Sequence, residues 1–129
     1  MNILMYYDGT EYTKDAVPLV KKHAKAFNAR VHVVSSLPKG GESQLKEIDS
    51  MERELDYLKS VFDRENIPCE THLLIKGHDA GKDIVEFAHE HNTDEIIIGS
   101  EKKTRVEKFL LGSVAHTVIV HARCPVLVV

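Results

Sequence analysis

The feature that most constrains the fold is a run of three isoleucines, Ile96 to Ile98, that ends at Gly99. Unbroken β-branched runs are typical of strands that are buried on both faces, as in parallel sheets covered by helices. After a polar stretch at residues 100–108, which predicts a loop, Gly112 and Ser113 begin a run with helical periodicity, and a second apolar run follows at Val126 to Val129. This part of the chain therefore predicts a strand, a loop, a helix and another strand.

The rest of the sequence alternates between strand and helix patterns. The clearest helix runs from Leu45 to Phe62, where apolar residues recur every three or four positions and charged residues fill the gaps. Pro18 interrupts a second helical run and predicts a bend or a late start there. The predicted strands are 2–7, 30–37, 69–76, 96–98 and 126–129, and the predicted helices are 13–28, 45–62, 80–91 and 112–122.

Such alternation indicates βαβ crossovers and hence an α/β fold, with an open, mostly parallel sheet of five strands and helices on both faces. A chain of 129 residues is expected to form one domain, residues 1–129. In open sheets of this kind, ligands bind beyond the carboxyl ends of the strands. The loops after the first, second and fourth strands are therefore the candidate site, although the sequence alone does not fix the strand order.

The charge pattern argues against a nucleic-acid partner. The net charge is -3, and the one basic cluster, Lys102, Lys103 and Arg105, is interrupted by Glu101 and Glu107. This cluster fits a polyphosphate better than a duplex, which would need a larger basic face. No apolar run approaches the ~18 residues of a membrane span, so a cytoplasmic protein without a membrane partner is expected.

Enzymatic and metal-binding patterns do not occur in the sequence. There is no P-loop, no G-x-S-x-G turn and no nucleophile with an evident paired base, so no catalytic residues are predicted. Of the eight histidines, His89 and His91 are two apart on a predicted helix and point in different directions, and no metal site is predicted. His32 is expected in a strand near the crevice and the other histidines at the surface. Cys69 and Cys124 lack C-x2-C spacing and are expected to be structural thiols.

Two short segments have the chemistry of a phosphate or ribose site. The first amides of the helix at Gly112 and Ser113 lie at the positive end of the helix dipole, which favours an anion. Asp8 follows the first strand and could cap a helix, bind a ligand, or do both. Gly99 could serve only a turn or could let a ligand approach the backbone, and Ser113 is as suitable for an N-cap as for phosphate.

These residues also resemble the sequence signature of a known protein family. The last third resembles the C-terminal signature of the universal stress protein family, whose ATP-binding members carry G-x2-G-x9-G-(S/T), a helix and a strand like C-P-V-L-V-V. Gly99, Gly112, Ser113 and residues 124–129 match at the family spacing, whereas Lys102 stands at the second glycine. The segments ILMYYDGTE, RVHVVSSL and KGHDAGKDIVEFA are also similar to the family, so the resemblance covers the whole chain.

The resemblance implies a Rossmann-like sheet in the order 3-2-1-4-5 and a non-catalytic module of the stress response. It implies an adenine nucleotide, ATP or AMP, with or without Mg²⁺. Asp8 would meet the ribose or adenine, the backbone of Val33 would meet adenine, and the glycine-rich segments would hold the phosphates. It also implies a homodimer through the edge strand Val126 to Val129, and an uncovered apolar edge favours such pairing. The implied nucleotide-binding residues are Asp8, Gly9, Thr10, Val33, Ile98, Gly99, Lys102, Gly112, Ser113 and Val114.

Lys102 leaves two functions open. If the backbone there must be left-handed, a side chain costs ~1–2 kcal/mol, while a lysine contact with phosphate contributes about as much in the other direction. The first function is adenine-nucleotide binding. The alternative is a dimeric interaction or signalling protein of the same fold that binds no nucleotide.

Overall fold

The computed structural model describes residues 1–77, 79–101, 103–105 and 108–129. Its largest sheet has five parallel strands, and a separate ribbon has two antiparallel strands. In chain order the elements are β1 (Asn2–Tyr6), α1 (Glu11–Lys14), α2 (Val17–Phe27), β2 (Arg30–Ser36), α3 (Gln44–Asp63), β3 (Cys69–Leu74), α4 (Ala80–Glu90), β4 (Glu95–Ile98), β5 (Lys103–Arg105), β6 (Lys108–Leu110), α5 (Ser113–His121) and β7 (Val126–Val128).

The strand order in the main sheet is β3-β2-β1-β4-β7, which confirms the predicted order 3-2-1-4-5 with β7 as the fifth strand. From β1 the chain first winds outward to β2 and β3, and then outward on the other side to β4 and β7. The winding therefore reverses between β1 and β4, which is where a crevice forms at the carboxyl ends of the strands.

Alternate strand residues face two different helical layers. Ile97 packs in the core formed with α2 and α3, whereas Ile96 and Ile98 pack in the core formed with α4 and α5. All three isoleucines are buried, with exposures of 0%, 0% and 1% for Ile96, Ile97 and Ile98. The interpretation of this run as a strand covered on both faces is confirmed, because each layer receives part of its apolar surface.

Pro18 has the predicted effect on the helical run of residues 13–28. Helix α1 ends at Lys14, and α2 begins at Val17 with Pro18 in its first turn. Proline is tolerated there because the first amides of a helix have no intrahelical partner. The run is therefore two helices joined at Asp15 and Ala16.

Helix α3 carries the predicted apolar stripe, with one exception. Met51, Leu55, Leu58 and Phe62 are buried, but Leu45 lies in the first turn and is 73% exposed. The periodicity extends one turn beyond the part of the helix that contacts the core. No helix in the described residues is both long and apolar enough to cross a membrane.

The segment after β4 differs from the sequence prediction. A loop was predicted over residues 100–108, and the structure has the antiparallel ribbon of β5 and β6 in this segment. Its strands have three residues each and include Lys103, Arg105 and Lys108, so they show no alternation of apolar and polar positions. Lys102, one of the predicted phosphate-binding residues, lies outside the described part of the chain.

Helices α4 and α5 pack closely at a glycine. A Cβ added to Gly81 of α4 would lie 2.6 Å from Cβ of Thr117 in α5. This distance is shorter than any ordinary carbon contact, so the two helices can approach in this way only with glycine at this position. The same contact fixes α5, whose first turn reaches the crevice.

We predict that Gly81→Ala lowers the free energy of unfolding by about 1–3 kcal/mol, because the added methyl group overpacks the α4–α5 contact. In an exposed helix interior the same change would stabilise by up to ~1 kcal/mol. Chemical denaturation measures the difference. Gly41→Ala is the matched control, since a Cβ at Gly41 would meet nothing within 4 Å. A stabilised Gly81→Ala protein would contradict the proposed packing constraint.

Candidate functional site

The candidate site is a cleft of about 200 Å³ at the point where the sheet reverses its winding. Its walls come from the end of β1 and the following turn, from the end of β4, and from the first turn of α5. The lining residues are Tyr6, Asp8, Tyr12, Ile98, Gly99, Ser100, Glu101, Gly112, Ser113, Val114 and Ala115.

The carboxylate of Asp8 is held by the turn that follows β1. Its Oδ1 accepts hydrogen bonds from the amide and hydroxyl of Thr10, at 2.9 and 2.5 Å, and from the hydroxyl of Thr13 at 3.0 Å. The N-cap of α1 is Thr10, so Asp8 fixes the helix start indirectly and is not its cap. Within the described residues, Oδ2 of Asp8 makes no hydrogen bond, which leaves one carboxylate oxygen for a ligand.

Gly99 brings the Asp8 turn against the end of β4. A Cβ at Gly99 would lie 1.9 Å from the carbonyl oxygen of Tyr12 and 2.9 Å from Cα of Thr13. No side chain fits there, because the neighbouring atoms belong to the backbone. Packing therefore requires glycine at this position. Because the two segments approach so closely, Asp8 and the end of β4 lie in the same cleft.

Ser100 connects β4 to the start of α5. Its Oγ accepts a hydrogen bond from the amide of Gly112 at 3.1 Å, and its own amide donates to the carbonyl of Val129 at 3.2 Å. Ser100 is only 5% exposed. The sequence interpretation assigned Ser100 to the polar loop and missed this role; its one local signal is a small hydroxyl directly after the strand-ending glycine.

The first turn of α5 presents backbone amides to the cleft. Its N-cap is Gly112, which makes no side-chain capping bond, so Ser113 is the first helical residue and the N-cap alternative for Ser113 is wrong. The amides of Ser113, Val114 and Ala115 lie at the positive end of the helix dipole. An anionic oxygen is the natural partner of such amides.

Two tyrosines and one more acid, which the sequence interpretation did not include, also line the cleft. Tyr6 is 5% exposed, and burial, followed by the charge of Asp8, raises the pKa of its phenol well above the usual value. The phenol therefore stays neutral at physiological pH. Tyr12 contributes from α1, and Glu101 places an exposed acidic residue at the cleft.

Three predicted residues that the structure describes, Gly9, Thr10 and Val33, do not line the cleft. Gly9 and Thr10 lie in the turn beside it, and Gly9 adopts a left-handed backbone with φ of 91°. Val33 is fully buried in the middle of β2, where it pairs with Met5 of β1 and Thr71 of β3. The structure therefore brings together Asp8, Ile98, Gly99, Gly112, Ser113 and Val114, but not Val33.

A larger groove, of about 620 Å³, lies between α4 and α5. It reaches the loops that precede β4 and β7, including Thr93 and Arg123, at the amino ends of these strands. It is larger than the cleft, but it lies at the amino ends of the strands, away from the crevice that parallel sheets use for ligands. We therefore take the smaller cleft as the candidate site.

The histidines differ from the prediction in one respect. His32 is a strand residue as expected, but it is the third residue of β2 and lies nearer the amino end than the crevice. It is 5% exposed and contacts His72, a partly exposed residue whose side chain is 25% exposed. Cys69 is buried, and burial raises the pKa of its thiol to about 12, which supports a structural role.

Comparison with known proteins gives one consistent result. The sequence model of the universal stress protein family matches residues 1–129. Universal stress protein MJ0531 of Methanocaldococcus jannaschii is 34% identical over 98% of this chain and 80% of its own length. A universal stress protein structure from Archaeoglobus fulgidus has a TM-score of 0.86 at 32% identity, covering 99% of this chain and 92% of that chain. An Archaeoglobus fulgidus universal stress protein in complex with dAMP has a TM-score of 0.81 at 29% identity, covering 99% and 96%.

We predict that Gly99→Ala destabilises the protein by ~3 kcal/mol or more, because the methyl group would overlap the Tyr12 carbonyl and only a backbone shift can relieve it. Gly112→Ala is the matched control. Its Cβ would lie at an ordinary 3.5 Å from Ser100 Oγ, so a loss of no more than ~1 kcal/mol is expected. Thermal and urea unfolding measure both, and equal losses in the two variants would show that the Gly99 contact is not special.

Proposed function

This chain belongs to the universal stress protein family, and we propose that it is a non-catalytic module that binds an adenine nucleotide, ATP or AMP, in a stress response. One observation carries the proposal. Unsatisfied amides of α5 and a carboxylate oxygen of Asp8 lie in the same cleft, at the reversal point of the sheet. Backbone amides at a helix start suit phosphate oxygens, and a carboxylate oxygen suits a ribose hydroxyl. The dAMP complex of an Archaeoglobus relative supports the same ligand class.

In the proposed complex the phosphates lie at the start of α5. The amides of Ser113, Val114 and Ala115 would donate to phosphate oxygens, and the exposed hydroxyl of Ser113 could add one more hydrogen bond. Gly112 supports this arrangement because it lacks a side chain that would cover the amides. Its own amide is already used by Ser100, so Gly112 acts through its small size.

The ribose lies at the other side of the cleft, near Asp8. Oδ2 of Asp8 would accept a hydrogen bond from a ribose hydroxyl, while Oδ1 stays bonded to Thr10 and Thr13. Gly9 and Thr10 then shape the turn that carries Asp8, and Ile98 and Gly99 form the floor of the cleft. We leave Val33 out of the proposed site, because its backbone lies within the sheet between two paired strands.

The charge of the cleft bears on the form of the nucleotide. Asp8 and Glu101 are both acidic, and the described lining residues include no lysine or arginine. Carboxylate oxygens suit Mg²⁺, which would reduce repulsion between these acids and the phosphates. Lys102, which the family resemblance includes among the phosphate-binding residues, would have the same effect if it contacts phosphate. We therefore expect the magnesium complex of ATP to bind better than free ATP.

The side chains of the described lining also support binding without rapid hydrolysis. Phosphoryl transfer depends on positive groups that stabilise charge on the transferring phosphoryl group, together with a positioned nucleophile. Among the described lining residues none is a lysine, arginine, histidine or cysteine, so these residues supply neither such a positive group nor a nucleophile of the kind that histidine and cysteine provide.

The small volume of the cleft is compatible with the alternative function, in which the protein binds no nucleotide. Its volume of about 200 Å³ is below the ~300–1,000 Å³ usual for small-molecule sites, so the described walls would enclose only part of a nucleotide. The alternative is a dimeric interaction or signalling protein that binds no nucleotide.

Denaturing the purified protein and identifying any released nucleotide by mass spectrometry separates the two functions. Calorimetric titration of nucleotide-free protein with AMP, dAMP, ATP and MgATP then measures the affinity for each nucleotide.

We predict that Asp8→Asn weakens nucleotide binding about ten- to a hundredfold, since a hydrogen bond to a charged acceptor contributes ~1.5–3 kcal/mol. The amide keeps an oxygen for Thr10, so the turn should persist. Asp79→Asn is the matched control: Asp79 is the N-cap of α4, accepts a hydrogen bond from the amide of Lys82 at 2.9 Å, and lies outside the cleft. Equal affinities in the two variants would remove Asp8 from the site.

We also propose a homodimer through the edge strand at residues 126–129. Strand β7 is the edge of the sheet beyond β4. On the side of β4, the carbonyl of Pro125 accepts a hydrogen bond from the amide of Ile96. The amide of Val129 donates a hydrogen bond to the carbonyl of Ile98. Because backbone groups alternate along a strand, those of Val126 and Val128 face the open edge. The exposed Ile119 and Val120 of α5, at 43% and 59%, add apolar surface, and an edge of this kind favours pairing.

We predict that Val128→Pro converts a dimer to a monomer, because proline removes the outward amide without removing a bond to β4. Val128→Thr keeps the amide and the β-branched shape and should remain dimeric. Light scattering after gel filtration gives the mass, and circular dichroism checks the fold. These substitutions are preferable to deletion of residues 126–129, which would remove β7 itself. A Val128→Pro protein of unchanged dimer mass would refute pairing through this edge.

A further inference from the structure

Three potential metal ligands meet at the other edge of the sheet, away from the cleft. His32 of β2 pairs directly with Glu70 of β3, and His72 is two residues further along β3, so all three side chains project from the same face. The ligand atoms are Nδ1 of His32, Nε2 of His72 and Oε2 of Glu70, which all lie within 4.8 Å of one another. The sequence places His32 and His72 40 residues apart, and only the β2–β3 register brings them together.

The distances fit one coordination sphere. Nδ1 of His32 lies 3.0 Å from Nε2 of His72 and 3.4 Å from Oε2 of Glu70, and the latter two atoms are 4.0 Å apart. Ligand atoms on a tetrahedral ion with bonds of ~2.0–2.2 Å are separated by about 3.3–3.6 Å. A shift of a few tenths of an ångström in each side chain would therefore place a single ion between them.

The contact between the two histidines can give way to a metal ion. Metal ligation requires a nitrogen lone pair from each imidazole, and Nδ1 of His32 and Nε2 of His72 face each other at 3.0 Å. Their present contact shares one proton between two nitrogens, and an ion would replace it if one ring moved its proton to its other nitrogen.

Neighbouring groups would orient the ligands. Nη1 of Arg30 lies 3.6 Å from Oε1 of Glu70, which leaves Oε2 to face the histidines. Phe87 of α4 packs over His72 with ring centroids 4.6 Å apart. The ring of His91, stacked on Phe87, lies 5.8 Å from His72 and 6.1 Å from His32. Outer groups of this kind fix ligand geometry in known metal sites.

The cluster is open on one side. The side chain of His32 is 7% exposed, whereas those of His72 and Glu70 are 25% and 52% exposed. Because β3 is the edge strand, an ion and one solvent ligand can reach the site from this edge without opening the sheet.

The geometry points to a binding site for a divalent transition-metal ion, with His32, Glu70 and His72 as its protein ligands. Two imidazoles and one carboxylate with an open fourth position form a ligand set that zinc uses in proteins, so Zn²⁺ is the test ion. The site is independent of the nucleotide proposal, because none of its three ligands lines the cleft.

The experiment uses tag-free, nucleotide-free protein. Zn²⁺ is titrated by calorimetry, and Co²⁺ is titrated as a spectroscopic substitute whose visible absorption distinguishes four- or five-coordinate binding from six-coordinate binding. We expect one ion per chain with a low-coordinate cobalt spectrum. His72→Gln and Glu70→Gln should each weaken Zn²⁺ binding by at least ~10–100-fold and remove that spectrum.

His121→Gln is the matched control, since His121 is exposed on α5 and lies outside the cluster. It should bind zinc like the unaltered protein. Glu70 is half exposed, so Glu70→Gln decides the question even if His72→Gln does not fold. The proposal is overturned by the absence of stoichiometric zinc binding, by unchanged binding in Glu70→Gln, or by an equal loss in His121→Gln.

Discussion

The candidate site depends on the contact between Gly99 and the backbone of Tyr12 and Thr13. At this contact the end of β4 approaches the turn after β1 so closely that a Cβ would overlap the Tyr12 carbonyl. Ser100, the next residue, then binds the amide of Gly112 and fixes the start of α5. A single close approach thus brings together segments that are distant in sequence. Asp8 and the α5 amides share one cleft because of it.

The other end of the Asp8 turn is fixed by buried polar contacts. Oγ of Ser35 in β2 donates to the carbonyl of Tyr7 at 2.6 Å, and the Tyr7 hydroxyl donates to Glu54 of α3 at 2.6 Å. Burial, followed by the bond to Glu54, raises the pKa of Tyr7 above its usual value, so the phenol remains a donor. The residue before Asp8 is therefore attached to both a strand and a helix, which limits the motion of the carboxylate.

A parallel sheet covered on both faces leaves only its two edges unpaired, and the two edges of this sheet differ in chemistry. The β7 edge is apolar and lies beside exposed side chains of α5, which suits a second copy of the chain. The β3 edge carries His72 and Glu70 beside buried His32, which suits an ion. The proposed dimer and the proposed metal site therefore occupy opposite edges. The cleft lies between them, at the carboxyl ends of β1 and β4.

The layered fold and the positions of Asp8, Gly99, Gly112 and Ser113 at element ends could be predicted from the chain alone, because they follow from local periodicity and from residues whose preferences act within a few positions. The strand order could be predicted only through the family resemblance. Three features became visible only in the folded molecule: Val33 lies inside the sheet, Ser100 binds Gly112, and His32 contacts Glu70 and His72. Each depends on strand register or on a close approach between distant segments, and no local pattern in the chain encodes that geometry.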